Sequence, residues 1–129
     1  MRQHIGAISL LVRDYDEAIA YYVGKLGFDL IENSDMGGGK RWVLVAPKGS
    51  ATRLLLARAV GAAQEAAIGN QSGGRVFLFL NTDNFARDFA AYQAAGVDFL
   101  EDPRFEPYGT VAVLRDFYGN LWDLIESKG

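Results

Sequence analysis

The chain has no cysteine and only one histidine, His4, among its 129 residues. Without thiols there is no disulfide, no thiolate metal site and no cysteine nucleophile. A lone histidine near the terminus leaves none for a Ser-His-Asp constellation elsewhere. Long apolar runs are missing too. None approaches the roughly 20 residues that span a bilayer, and the start, Met1-Arg2-Gln3-His4, has no apolar signal-peptide core or cleavage site. Positive charge is not in excess, with 13 Lys and Arg against 16 Asp and Glu and a net charge of −3. The cations are scattered, so no basic face stands ready to neutralise phosphates. The expectation is a cytoplasmic protein with neither a membrane nor a nucleic-acid partner.

What is present is an ordinary globular composition, 50% hydrophobic and 22% charged. The length suits one domain, 1–129, with one core. An internal repeat organises it. At an offset of 69 residues Asp14 maps to Asp83, Gly27 to Gly96, Asp29 to Asp98, Glu32 to Glu101 and Leu55 to Leu124. With that offset the expected elements of the two halves fall in register without a gap.

The first half opens with the β-branched and leucine-rich run Gly6 to Val12, read as a strand. Asp14 and Asp16 then favour a helix start, and Ala18, Ile19, Tyr22, Val23 and Leu26 follow at helical spacing up to Gly27. Strands are expected at Leu30 to Asn33, Trp42 to Ala46 and Arg53 to Arg58, with a glycine-rich hairpin or loop at Met36 to Lys40. The second half repeats this with a strand at Arg75 to Leu80, a helix at Asn84 to Ala95 and strands at Val97 to Leu100, Thr110 to Arg115 and Leu121 to Glu126. A loop is expected over Asp102 to Gly109 and a tight turn over Asp116 to Asn120. The organisation is therefore βαβββ twice: module one at 4–58, a linker at 59–74 and module two at 75–127. The fold class is α+β, with two tandem modules forming a curved mixed-sheet cup whose outer face carries the helices. The concave side of such a cup is the default ligand site.

The stretch Val12-Arg13-Asp14, Ala18-Ile19-Ala20-Tyr21-Tyr22, Leu26-Gly27-Phe28 resembles the opening of a vicinal-oxygen-chelate module. Pro107 to Leu124, through Asp116-Phe117-Tyr118-Gly119-Asn120, resembles its ending, which in that family often reads D-P-D-G-N-x-x-E-L. The resemblance covers essentially the whole chain. It implies the glyoxalase/bleomycin-resistance fold without selecting a reaction, since the family holds lyases, dioxygenases, epimerases, transferases and drug-binding proteins. Its enzymes hold a divalent metal on His or Glu ligands, and the resemblance puts those positions at Ala7, Leu54, Val76 and Asp123. Three of the four have no donor atom, and one aspartate cannot supply the three or four protein ligands of a catalytic site. No cofactor is expected. The residual alternative is a divalent ion (Zn, Ni, Mn or Fe) in an altered register that borrows His4, although His4 stands an odd step from Ala7.

Strand alternation from the former ligand positions gives the expected cup floor: Ala7, Ser9, Leu11, Leu54, Leu56, Val76, Leu78, Leu80, Asp123 and Ile125. Phe105 and Tyr108 are expected in its wall, with Trp42 a further aromatic candidate. The leading expectation is a small-molecule-binding protein holding a largely apolar or aromatic ligand, with Asp123 as its polar contact. One alternative is an enzyme, either a glyoxalase-type lyase or dioxygenase with a displaced metal, or a metal-free isomerase with Asp123 as base. Another is a non-catalytic dimeric regulatory domain. The resemblance also implies a homodimer.

Overall fold

The computed structural model describes all residues, Met1–Gly129. Two compact units are present, Met1–Ile68 and Gly69–Gly129, each a mixed sheet with a helix on one face. No helix is long and apolar enough to cross a membrane.

The first unit runs β1 (Ala7–Val12), α1 (Tyr15–Tyr22), β2 (Asp29–Gly37), β3 (Lys40–Ala46), β4 (Arg53–Arg58) and a short α2 (Ala62–Ala67). The sheet order is β1-β4-β3-β2, with β1 parallel to β4 and the other neighbours antiparallel. Asp14 caps α1 by accepting from the Glu17 N–H at 2.8 Å, and Asp16 and Glu17 place negative charge in its first turn. The helix buries Ala18 and Tyr22 against Leu10, Val12, Val43, Val45, Leu54 and Leu56, all of them core residues. Each such aliphatic side chain contributes about 2 kcal/mol by leaving water. β2 is longer than the sequence suggests, because Gly37, Gly38 and Gly39, with φ of 84°, 63° and 82°, turn the chain straight into β3.

The second unit runs β5 (Val76–Asn81), α3 (Phe85–Ala94), β6 (Asp98–Phe99), β7 (Arg104–Glu106), β8 (Gly109–Arg115) and β9 (Leu121–Ser127). The order is β5-β9-β8-β6, with β7 also pairing β8. Asn84 caps α3 by accepting from the Arg87 N–H at 3.0 Å. On the helical face Phe89 meets Phe99 with ring centroids 4.4 Å apart.

The expected loop over 102–109 contains β7, and the expected strand 97–100 shrinks to two residues. Together β6 and β7 are the interrupted counterpart of β2. Asp29 pairs with Ala46 and Gly37 with Lys40, while Asp98 pairs with Arg115 and Glu106 with Gly109, an offset of 69 at both ends. Between those ends stands Pro103, which has no N–H to give a ladder. The Val113 N–H turns instead to the carboxylate of Glu101 at 3.2 Å.

The turn between β8 and β9 is built around Asp116, which is 4% exposed. Its carboxylate accepts from the backbone N–H groups of Tyr118, Gly119 and Asn120 at 2.9–3.0 Å, from the Asn120 amide, and from the Trp122 indole at 2.9 Å. Removing it strands several buried donors at once, each at about 1–3 kcal/mol when left fully unpaired. Asp116→Ala is expected to lower unfolding stability by about 3 kcal/mol or more. Denaturant titration checks this, and a loss below about 1 kcal/mol would show the turn to be independent of the carboxylate.

Candidate functional site

Strand pairing decides which side chains share a face, because residues opposite one another in register point the same way. Ser9 pairs with Leu55, Ala7 with Arg53 and Leu11 with Ala57, and Leu55 pairs in turn with Leu44. Trp42, opposite Ser34, lies two residues from Leu44 and so on the same side; it is 38% exposed. Ala7, Ser9, Leu11, Trp42 and Leu55 therefore lie on the face of the first sheet away from α1.

Leu54 and Leu56 do not. They pair with Ile8 and Leu10 and are buried under α1, contrary to the expectation that they share a floor with Ser9. The second unit needs the same correction. Leu78 pairs with Trp122 and Leu80 with Leu124, on the face that α3 covers, whereas Asp123 pairs with Phe79 and Val113 on the other. Val76 pairs with Leu121 beyond a bulge. Phe105 pairs with Thr110, which pairs with Glu126, so it lies on the opposite face from Asp123 and is 83% exposed. Tyr108, in the turn before β8, is 53% exposed.

The physical reason is that the repeat is not gapless. The caps Asp14 and Asn84 stand 70 residues apart, and Leu10 matches Leu80 at the same offset, since Leu10 pairs with Leu56 where Leu80 pairs with Leu124. In β4 and β9 the offset falls to 68, because Leu44 pairs with Leu55 while Val113 pairs with Asp123. Asp123 thus corresponds to Leu55, and Ser9 to Phe79. A strand has period two, so a one-residue error moves a side chain to the opposite face. Phe79 and Leu55 were missed for this reason. The signal that could have found them was the Asn84 cap, three residues before Arg87 as Asp14 is before Glu17.

Asp123 is the chemically distinctive member of the second sheet's open face. Its Oδ1 is buried and has no hydrogen-bond partner. Burial pushes its carboxyl above the ordinary range, Glu101 adds to the rise, and Arg104 opposes it. Arg104 is itself engaged, with Nε 2.8 Å from Glu101 and Nη1 3.2 Å from Glu106. Beside Asp123 stands Phe79, 63% exposed. A carboxylate oxygen without a donor next to a bare aromatic ring suits a ligand with a flat apolar body and a hydroxyl or amine.

The family's metal does not fit these residues. Ala7 and Val76 have no donor atom, Leu54 has none and faces α1, and His4 lies exposed ahead of β1. No group of three His, Cys, Asp or Glu side chains is placed to hold an ion.

The model of the glyoxalase/bleomycin resistance protein/dioxygenase superfamily matches residues 4–124. The chain belongs to that superfamily. It is 56% identical over 98% of its length to an uncharacterized protein of Shewanella frigidimarina, covering 95% of that protein. Among solved structures, TnmS3, an antibiotic binding protein from Streptomyces sp. CB03234, is 31% identical with a TM-score of 0.80, covering 98% of each chain. UcmS2 is 28% identical with a TM-score of 0.83, covering 97% of this chain and 98% of its own.

A raised carboxyl pKa means that ionisation is harder in the folded chain than in the unfolded one. Its contribution to stability is present in full below the unfolded pKa, about 4, and is lost as pH rises through the raised folded value. Asp123→Asn is therefore expected to raise Tm by a few degrees at pH 7, with the gain vanishing towards pH 3. Melting curves across that range check it; a gain of equal size at both ends would contradict the assignment.

Proposed function

We propose that the protein binds a small, largely apolar or aromatic molecule and does so without the family's metal set. The ligand lies on the open face of the second sheet, its ring against Phe79 and a hydroxyl or amine donating to Asp123. The observation that carries this reading is the buried Oδ1 of Asp123, without a donor, beside an exposed phenyl ring. The likeness to an antibiotic binding protein at 31% identity supports the binding of a small molecule. We also propose a cytoplasmic homodimer, as exposed Leu30, Ile31 and Met36 along β2 leave apolar surface for a second copy.

The test uses 2-naphthol, a flat uncharged aromatic with one hydroxyl, titrated against the whole protein by calorimetry. Phe79→Ala is expected to weaken binding about fivefold or more, the size of one aromatic contact. Asp123→Leu, which removes the acceptor, is expected to weaken it by about tenfold. Unchanged affinity in both variants, with melting curves showing both folded, would refute the reading.

A further inference from the structure

The first unit contains a pocket of about 420 Å³ where the ends of β3 and β4 meet the start of α1. Its lining includes Tyr15, Lys40, Arg41, Trp42, Leu55 and Arg58. Three cations thus converge on one cavity in a chain whose net charge is −3.

Two of the three are held in place. Tyr15 is 7% exposed, and its ring carries the Arg41 guanidinium 5.1 Å and the Arg58 guanidinium 5.5 Å from its centroid. The Tyr15 hydroxyl also accepts from the Arg41 backbone N–H at 3.2 Å. Arg41 has an anionic partner in Asp16 at 3.0 Å and a neutral one in Asn33. Lys40 and Arg58 are in no ion pair. Asp35, the other nearby acid, is occupied with the Gly37 N–H of the hairpin.

The fold does not need this charge. At the offsets that strand pairing gives, Tyr15, Arg41 and Arg58 correspond to Phe85, Thr110 and Glu126 in the second unit. There the Glu126 carboxylate accepts from the Phe85 N–H at 2.7 Å, closing the same corner with the opposite sign. Gathering like charges on one ring works against folding and is offset when a counter-charge arrives. Arginine held with its fork free suits a planar oxyanion, and Trp42, 38% exposed at the same pocket, offers a ring face to a planar body.

We propose that this pocket is a binding site for an aromatic carboxylate, with Arg58 and Lys40 taking the carboxylate and Trp42 the ring. All its residues belong to the first unit, and it stands whether or not the Asp123 face binds a ligand.

The experiment is calorimetric titration of the whole protein with 1-naphthoate and with its uncharged isostere 1-naphthamide, at pH 7.5 and low salt. The acid is expected to bind at least tenfold more tightly than the amide, at one site per chain. Arg58→Gln and Lys40→Gln are each expected to weaken the acid fivefold or more and to leave the amide unchanged. Lys25→Gln, an exposed lysine outside the pocket, makes the same change in net charge and is expected to alter neither. Should Arg58→Gln melt early because its guanidinium packs on Tyr15, the exposed Lys40 decides. Equal affinity for acid and amide, no binding of the acid at millimolar concentration, or equal losses in Lys40→Gln and Lys25→Gln would each overturn the proposal.

Discussion

The Asp116 carboxylate is the point on which the second half of the chain depends. It accepts from successive backbone amides that close the turn between β8 and β9, and from the Trp122 indole that opens β9. Fixing Trp122 under α3 leaves Asp123 only the other face, because consecutive strand residues alternate. Gly69 takes part in the same corner. A Cβ there would meet the Tyr118 carbonyl oxygen at 1.9 Å, so the chain entering the unit passes the turn at a distance that only glycine permits. A buried carboxylate with every oxygen engaged thus orients the neighbouring one that has a free oxygen. The motif contributes geometry, while the oxygen without a donor stands one residue beyond Trp122.

The fold was legible from periodicity and punctuation. The βαβββ repeat, both helix starts, the glycine hairpin and the closing turn all leave marks in residue type. The open faces were not legible in the same way. Alternation says which residues share a side of one strand, but joining strands requires register. The offset between the halves changes by one residue between the helix cap and the second strand and again before the last strand, from 70 to 69 to 68. A single constant offset carried Leu54 and Leu78 to the wrong side, and with them the aromatic neighbour of Asp123. Phe105 was misjudged because a three-residue strand, β7, lay where a loop was expected, and pairing turned its ring away. The cationic pocket left no sequence mark at all: Tyr15, Lys40 and Arg58 are far apart in the chain, and each alone reads as an ordinary surface or helix residue.

The two units have used one scaffold for different electrostatic ends. The corner beside the helix N-terminus is closed by two guanidinium groups over a tyrosine in one unit and by a carboxylate on a backbone amide in the other. Both solutions close the corner, so the sign of the charge there is free to differ between the units. The open faces diverge likewise: Ser9 and Leu55 in the first unit stand where Phe79 and Asp123 stand in the second.

The interruption between β6 and β7 bears on how the chain avoids self-association in unwanted forms. An outermost strand with a continuous row of free amides and carbonyls invites another chain to add to the sheet. In the second unit Pro103 and the inward-turned Glu101 break that row into pieces of two and three residues, too short to template a neighbour. The first unit keeps its nine-residue outer strand whole, guarded by Asp29, Glu32 and Asp35 rather than by a break. Of these two corresponding outer strands only β2 is left whole, and the charges along it set how readily it accepts a neighbour; β1 and β5 are the outer strands at the opposite ends of the two sheets.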